Sequence, residues 1–277
     1  MTVNAIVVAH SKNELYGDEL ITIEIELHRF VLPEFNTHRV ISRNFQSSRA
    51  LNLSKQRKMV AEHTAFPVYW GLERPGMQAS EEMKGFRLAL AKGSWWLASR
   101  LALGMHKWFS FLGVHKQVTN RLLEPFMYTK GLTTATKEGW DAFLALRAHQ
   151  EAQPEIQALA YKIKEAIEQS TPKSLQIGEY HIPYGQQIDR MFPVLSNQDK
   201  AIVGTSLAAQ VSYRIANFSL EKAHEIYKKL RLDGKDGPAH ASPTEHIAIA
   251  SHSISMAGNF GSHKPTHFVQ YRKSLKI

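Results

Sequence analysis

A strand-forming stretch near the N-terminus limits the fold more than any other feature. Residues 20–36 read LITIEIELHRFVLPEFN, and their first half alternates apolar with polar side chains. A period of two is typical of a strand with one buried and one exposed face. A second apolar run lies at residues 5–10, and Gly17 with Asp18 gives a turn signal between the runs. The sequence therefore predicts an opening β-hairpin, with strands at residues 5–10 and 21–31.

Helical patterns fill much of the remaining chain. Residues 81–112 have a helical periodicity that Gly85, Gly93 and Gly104 interrupt. We therefore predict two or three packed helices in this region instead of one long helix. The residues expected in their core are Trp95, Trp96, Leu97, Leu101 and Leu103.

A second helical region covers residues 138–169, where apolar side chains recur at three- and four-residue intervals. Pro154 interrupts this pattern and indicates either the first turn of a new helix or a kink near Gln153. Further helices are predicted at residues 114–126, 199–216 and 219–231.

No change in composition is sharp enough to divide the chain, and the sequence has no internal repeat or low-complexity tract. We therefore predict a single α+β domain over residues 1–277. Residues 170–197 have a looser pattern and are the best candidate for a linker or surface excursion.

Composition excludes several classes of protein. Cysteine is absent, which excludes disulfides, thiolate metal sites and cysteine nucleophiles. No run approaches eighteen apolar residues, and the first residues lack a basic segment and a cleavage site, so we expect neither a membrane span nor a signal peptide. A cytoplasmic location is therefore expected. The net charge of +9, from 34 basic and 25 acidic residues, favours anionic partners such as nucleotides or nucleic acid.

The basic residues are concentrated after the first hairpin. No Asp or Glu occurs between Phe35 and Ala61, whereas the segment carries Arg39, Arg43, Arg49, Lys55, Arg57 and Lys58. Arginine with adjacent serine hydroxyls and backbone N–H groups supplies the donors that a phosphate needs, and residues 46–49, Gln-Ser-Ser-Arg, offer that grouping. The alternative is a basic loop that binds nothing.

Two more arginines are candidates for an anion site. Arg121 follows Asn120 in a predicted helical segment. Arg147 lies beside Leu144 and Leu146 on an apolar helix face. An arginine in that position is either paired with an acid, for which Glu151 at i+4 is the local choice, or directed into a site.

Two of these segments resemble blocks of the flavin-dependent thymidylate synthases. In the family signature an Arg-His-Arg triplet is followed after seven residues by Ser and, two positions further, by Arg. His38, Arg39, Ser47 and Arg49 fill the corresponding positions. Residues 146–156, LRAHQEAQPEI, resemble a second family block.

A third block is usually N-terminal in that family. In this chain the segments that resemble it lie near the C-terminus. Residues 208–213 read AAQVSY and residues 242–246 read SPTEH. The resemblance therefore implies a circular permutation, which is tolerated where chain termini lie close together at the surface.

The resemblance implies a fold in which an antiparallel sheet packs with a helical bundle. It also implies methylation of dUMP to dTMP with FAD as cofactor and with NADPH and methylenetetrahydrofolate as co-substrates. The missing cysteine agrees with this chemistry, because thymidylate synthesis without flavin needs a thiolate that attacks the pyrimidine. A homotetramer with sites built from several subunits is expected by the same resemblance.

The resemblance assigns site residues in two groups. The nucleotide group consists of Ser47, Ser48, Arg49, Arg121 and Arg147. Within it, Arg147 polarises the pyrimidine, and Ser47 is the second catalytic candidate. The FAD group, in which Ser212 is the weaker member, consists of His38, Arg39, Ser212 and His246.

Several alternatives remain open. Thr37, Phe45 and Ala50 depart from the family pattern, and an altered polar set around the base favours a related alkylation or hydroxymethylation of another pyrimidine nucleotide such as dCMP. Residues 39–58 could instead bind nucleic acid without catalysis, although this partner is less favoured, or the chain could be a structural subunit that binds neither ligand. His252, His263 and His267 fit no familiar metal-ligand spacing, so no metal is expected.

Overall fold

The computed structural model describes residues 3–79, 81–212, 218–232, 238–255, 260 and 264–275. Its strands are β1 (Asn4–Asn13), β2 (Glu19–His28), β3 (Ser42–Phe45), β4 (Tyr128–Thr136), β5 (Lys173–Leu175), β6 (Tyr180–His181), β7 (Ala248–Ser255) and β8 (Thr266–Gln270). Its helices are α1 (Leu32–Asn36), α2 (Leu53–Glu62), α3 (Gly85–Phe111), α4 (Lys116–Thr119), α5 (Lys137–Arg147), α6 (Pro154–Glu168), α7 (Gly185–Met191), α8 (Asn197–Ala209) and α9 (Leu220–Lys229).

The strands form two sheets that are mostly antiparallel. The larger sheet has the order β3-β4-β2-β1-β5, and its β1–β5 pair is parallel. The smaller sheet has the order β6-β7-β8 and is antiparallel. The expected α+β class with an antiparallel sheet is therefore confirmed. None of the helices in the described ranges is long and apolar enough to cross a membrane.

The predicted opening hairpin is present. Strands β1 and β2 pair in antiparallel register, and Gly17 at the turn has φ +78°, a conformation that glycine adopts without strain. Strand β2 ends at His28, three residues before the predicted end, because Arg29–Val31 forms a 3-10 turn that leads into α1. Pro33 in the first turn of α1 suits a helix start, where a missing N–H costs little.

One face of the large sheet carries the main core. Alternate β2 residues, Ile21, Ile23 and Ile25, are fully buried against α5 and α6. Each such side chain stabilises the fold by about 1.5–3 kcal/mol. Helix α6 begins at Pro154, the first of the two predicted alternatives, and α5 ends at Arg147.

The opposite face of the large sheet is covered by a second layer. Leu132 on β4 packs against Ile188 of α7 and Val203 of α8, while Leu20 packs against the smaller sheet. Residues 170–197, the linker candidate, supply β5 to the edge of the large sheet and β6 and α7 to this layer. Alternation on β2 thus separates an apolar face from a face that carries Thr22, Glu24 and Glu26.

Helix α3 differs from the prediction. Gly85 marks its start, but Gly93 and Gly104 lie inside one continuous helix of 27 residues. Both glycines face open space, so each costs only about 1 kcal/mol of helix propensity and nothing in packing. The predicted core was wrong for Trp96, Leu97 and Leu101, which are 51%, 53% and 64% exposed. Trp95 and Leu103 pack against a buried cluster at the other side of the helix.

Candidate functional site

The segment of residues 37–49 runs along the edge of the large sheet. Its strand, β3, pairs only with β4 among the described strands. The Phe45 ring lies directly over Gly131, where any Cβ would stand 2.2 Å from the ring. Asn44 Nδ2 donates to the carbonyl of Ala208 at 2.9 Å and ties the strand to α8. Asn44 and Phe45, the last two residues of β3, are therefore held against α8 and β4.

Arg147 and His38 form the first part of the candidate site. Arg147 Nε donates to His38 Nε2 at 2.9 Å, and its Nη2 lies 3.4 Å from the Thr37 hydroxyl. The His38 ring packs edge-on against Phe143, with centroids 4.7 Å apart. Because His38 Nε2 accepts, its hydrogen is on Nδ1. The structure therefore brings Thr37 and His38, neighbours in the first motif block, together with Arg147 of the second block, which is distant in sequence.

The Arg147 guanidinium has no carboxylate partner among the described residues, and Glu151, the candidate partner at i+4, does not pair with it. Burial, followed by the charges of Arg147 and Arg43, lowers the pKa of His38 from 6.5 to about 4. The imidazole is therefore neutral at physiological pH, and the positive charge of Arg147 is not compensated locally. We conclude that this arginine is positioned by hydrogen bonds instead of an ion pair.

Two other arginines of the motif are exposed. Arg39 and Arg49 have no hydrogen-bonded or ion-paired partner within the described part of the chain. The backbone N–H of Ser47 donates to Ser212 Oγ at 3.2 Å, which joins the first motif block to the third. Tyr213, at the end of the third block, lies outside the described residues.

Ser48 and Arg121 already have an anionic partner inside the chain. The Glu124 carboxylate accepts from the Ser48 hydroxyl at 2.7 Å and from Arg121 Nη1 at 2.8 Å, and Arg29 lies 3.4 Å from the same oxygen. Ser48 is buried, whereas the Arg121 side chain is half exposed. The sequence analysis missed Glu124, whose i+3 spacing from Arg121 was the available signal.

His246 lies on the face of the large sheet opposite α5 and α6. It ends the 3-10 helix Ser242–His246, is fully buried, and is joined through Nδ1 to the Thr134 hydroxyl at 2.8 Å. Its Nε2 has no hydrogen-bond partner among the described residues. Burial lowers the pKa of His246 to about 3, so the ring is neutral. A buried polar atom without a partner is costly, and its position marks where a bound group would supply one.

Residues 242–246, which belong to the third motif block, pack beside the motif segment. The short helix contacts β3 and β4. Gln270 Nε2 donates to Ser42 Oγ and lies 3.3 Å from the Glu245 carbonyl. The Glu245 charge also raises the pKa of Arg43, although burial lowers that pKa more. The third block thus lies against the strand that carries the first block.

The remaining cations of the basic run lie elsewhere. Arg43 Nη1 donates to the carbonyls of His38 and Ile41, so it stabilises the loop. Arg57 and Lys58 line a shallow depression between α2 and α3, together with Lys107. The run therefore does not converge on one anion, contrary to what its charge alone would indicate.

Three polar residues on the second face were missed by the sequence analysis: Thr22, Thr134 and His181. They are fully buried and hydrogen bonded to one another in sequence-distant pairs. Thr22 occupies a polar position in the alternation of β2, so the sequence pattern placed it on the exposed face. No sequence signal identified His181. No group of three or more His, Asp or Glu among the described residues could hold a metal; His267 pairs with Asp18, and His263 lies outside the described residues.

Comparisons with known proteins agree with the motifs. The family model of the thymidylate synthase complementing proteins matches residues 17–173, more than half of the chain, and ends before the third block. A search of curated proteins finds no significant match.

Two solved structures of the UMP/dUMP methylase PolB from Streptomyces cacaoi are also similar. The structure bound with 5-Br dUMP has 19% identity and a TM-score of 0.46, covering 54% of this chain and 66% of that chain. The structure bound with 5-Br UMP has 14% identity and a TM-score of 0.49, covering 60% and 88%. The chain thus spans just under two thirds of the first of these relatives.

Proposed function

Because the chain belongs to the thymidylate synthase complementing protein family, a family of methyltransferase-type enzymes, we propose that it methylates C5 of dUMP to give dTMP. The observation that carries the proposal is the Arg147 guanidinium, which is held by the neutral His38 ring beside the motif segment and has no described carboxylate partner. A cation in that position can polarise a pyrimidine carbonyl and stabilise negative charge that develops in the ring.

We assign the nucleotide phosphate to the exposed end of the motif segment. Arg49 is free of described partners, and Ser47 lies beside it. A guanidinium with a neighbouring hydroxyl matches a phosphate in charge and donor number. Ser48 and Arg121 both donate to the Glu124 carboxylate. In this proposal they therefore contact the nucleotide only if that carboxylate moves away or if their remaining donor atoms reach the phosphate.

The cofactor in this proposal is FAD. The residues present fit it in two respects: Arg39 supplies a cation that has no partner among the described residues and suits a pyrophosphate, and His246 Nε2 supplies a neutral buried partner for a ring atom. When bound, FAD that NADPH has reduced would supply the hydride that completes the methyl group from methylenetetrahydrofolate. The chain's own residues bind and orient the reactants: Arg147 holds the pyrimidine, and Ser47 with Arg49 fixes its phosphate.

The exposed face of α3 favours a homo-oligomer. Besides the three residues wrongly placed in the core, Phe86, Trp108 and Phe111 are more than half exposed on this helix. Apolar surface of this extent is typical of an interface. We propose that it packs against other copies of the chain in a tetramer.

The double variant Leu97→Glu with Leu101→Glu tests this assignment, because buried carboxylates at an apolar interface oppose association. We expect the mass measured by light scattering to fall from that of an oligomer to that of a smaller species. The matched control is Lys92→Glu on the same helix, which should leave the mass unchanged. A wild-type chain that is monomeric at micromolar concentration would contradict the proposal.

The reaction is tested by incubating the purified protein with FAD, NADPH, methylenetetrahydrofolate and dUMP and identifying the nucleotide by mass spectrometry. We expect dTMP. A product formed from dCMP and not from dUMP would favour the related activity, which the presence of Phe45 in place of the family's acid motivates. Absence of any product, together with binding to DNA or RNA that falls steeply with salt, would favour the nucleic-acid alternative.

A further inference from the structure

Five buried side chains form an unbroken line of hydrogen bonds across the second face of the large sheet. Ser11 Oγ lies 2.8 Å from His181 Nδ1, and His181 Nε2 lies 2.7 Å from Thr22 Oγ1. Thr22 Oγ1 lies 2.8 Å from Thr134 Oγ1, which lies 2.8 Å from His246 Nδ1. All five are at most 5% exposed. The line ends at His246 Nε2, which is buried without a described partner.

The available hydrogens restrict how this line can be arranged. Each hydroxyl has one hydrogen, and each neutral imidazole has one on either Nδ1 or Nε2. In the first complete arrangement, donation runs from Ser11 towards His246, and both imidazoles carry their hydrogen on Nε2. In the second, donation runs from His246 towards Ser11, and both carry it on Nδ1.

Mixed arrangements contain a buried defect. If His181 carries its hydrogen on Nδ1 and His246 on Nε2, both threonines donate outward and no hydrogen remains between Thr22 and Thr134. In the opposite mixture, His181 carries its hydrogen on Nε2 and His246 on Nδ1, so both rings donate to the threonines. One threonine hydroxyl then donates to the other, whose own hydrogen has no acceptor within the line. A missing hydrogen bond between buried groups disfavours a state by roughly tenfold or more. The two complete arrangements therefore dominate.

We propose that this line couples the two imidazoles, so that His181 is a positioning residue that fixes which ring nitrogen of His246 carries the hydrogen. The coupling passes through Thr22 and Thr134, which are cross-strand neighbours on β2 and β4. His181 thereby influences the group bound at His246 without contacting it.

The burial of both rings is consistent with this role. Burial lowers the pKa of His181 to about 3, with smaller contributions from His10 and His246, and it lowers the pKa of His246 to about 3. Both rings therefore stay neutral over the physiological range, and only the position of their hydrogen can change.

The coupling deepens the proposed function. It rests on that function in one respect, that the group bound at His246 Nε2 is the flavin. The exposed edge atoms of an oxidised flavin are mainly carbonyl oxygens and ring nitrogens that accept hydrogen bonds. A bound flavin therefore selects the arrangement with the hydrogen on Nε2 at both His246 and His181.

The test is nitrogen NMR of the full chain labelled with ¹⁵N-histidine, since protonated and unprotonated ring nitrogens have widely separated shifts. The two rings are assigned by the signals lost in His181→Gln and His246→Gln. In the protein without FAD, we expect both rings in the same tautomer. Different dominant tautomers at the two rings would overturn the proposal.

Variants test whether the coupling runs through the hydroxyls. Thr134→Val removes the hydroxyl at similar volume, so the His246 tautomer should change or become mixed, and Thr134→Ser should restore it. The matched control is Thr133→Val, because Thr133 is equally buried on the same strand but donates to the backbone carbonyl of Ile23. Equal His246 shifts in the Thr134 and Thr133 valine variants would overturn the coupling. Should Thr134→Val fail to fold, Thr22→Val breaks the same line one residue earlier.

Addition of FAD separates this proposal from the proposed function. We expect both rings to move to the Nε2 form together. If FAD does not bind, the proposed function fails, whereas matched tautomers in the free protein and their loss in Thr134→Val still support the coupling. If FAD binds and changes His246 but not His181, the coupling fails and the proposed function stands.

Discussion

The two histidines assigned to the cofactor, His38 and His246, lie in opposite surroundings. His38 is partly exposed and accepts a hydrogen bond from the cationic Arg147, whereas His246 is fully buried and contacts a neutral hydroxyl. Both rings are neutral because burial lowers their pKa values to about 4 and about 3. The surroundings of His38 thus carry a cation, which would suit an anionic nucleotide, whereas those of His246 are neutral, which would suit an uncharged ring system.

Replacing Arg147 removes the cation from the surroundings of His38 and should have the largest effect. For Arg147→Ala we expect turnover to fall by about 100-fold or more, since one preorganised donor to a developing charge contributes on that scale. The melting temperature should change little, because Arg147 has no ion pair to lose among the described residues. A matched control is Arg190→Ala, at the last turn of α7, whose exposed side chain donates a hydrogen bond to the Gln186 carbonyl. An Arg147 variant that melts several degrees lower and keeps its activity would assign this arginine a structural role.

Replacing His246 probes the neutral surroundings. His246→Ala leaves a cavity and a Thr134 hydroxyl without its partner, so we expect a loss of about 2–4 kcal/mol in the free energy of unfolding. Binding of FAD should weaken, with little change in affinity for the nucleotide. His38→Ala should cost less stability because the ring is less buried. Denaturant unfolding and flavin titration measure these effects, and equal losses for the two variants would remove the difference between the two surroundings.

Arg49 tests the phosphate assignment. Arg49→Ala should weaken dUMP binding by about one to two decades, because a charge-assisted phosphate contact contributes about 1.5–3 kcal/mol. Arg49→Lys should recover only part of the affinity, since an ammonium cannot form a bidentate contact. Calorimetry with dUMP measures both variants, and the affinity for FAD should stay unchanged. Equal dUMP affinity in wild type and Arg49→Ala would place the phosphate elsewhere.

The pH dependence of stability should show the smallest effect. In the unfolded chain histidine titrates near 6.5, but burial lowers the folded pKa of His246 to about 3 and of His38 to about 4. The unfolded state therefore binds protons first as the pH falls, so stability is complete above about 6.5 and declines below it. Near pH 5, His246→Gln should reduce the slope of unfolding free energy against pH by about 1.4 kcal/mol per pH unit. An unchanged slope would mean that His246 is charged or exposed.

Local patterns predicted some elements, and long-range packing decided others. The first hairpin and the start of α6 at Pro154 follow from signals within a few residues. The continuity of α3 could not be predicted from such local signals. Gly93 and Gly104 lower the helix propensity, but nothing packed around them interrupts the helix. The resemblance singled out Arg147 and His38 but assigned them to different ligands, so the hydrogen bond between them was not predicted. The Thr22 and His181 pair could not be predicted, because its members are distant in sequence and meet only when the second layer packs on the sheet.

The visible absorption of FAD bound to the purified chain, followed during titration with dUMP, tests most directly whether the surroundings of His38 and His246 belong to one site. We predict a yellow protein whose flavin bands shift on addition of dUMP, with the midpoint moved to a higher dUMP concentration in Arg49→Ala. A colourless protein in excess FAD, or a flavin spectrum that stays unchanged while calorimetry shows dUMP binding, would contradict a shared flavin and nucleotide site.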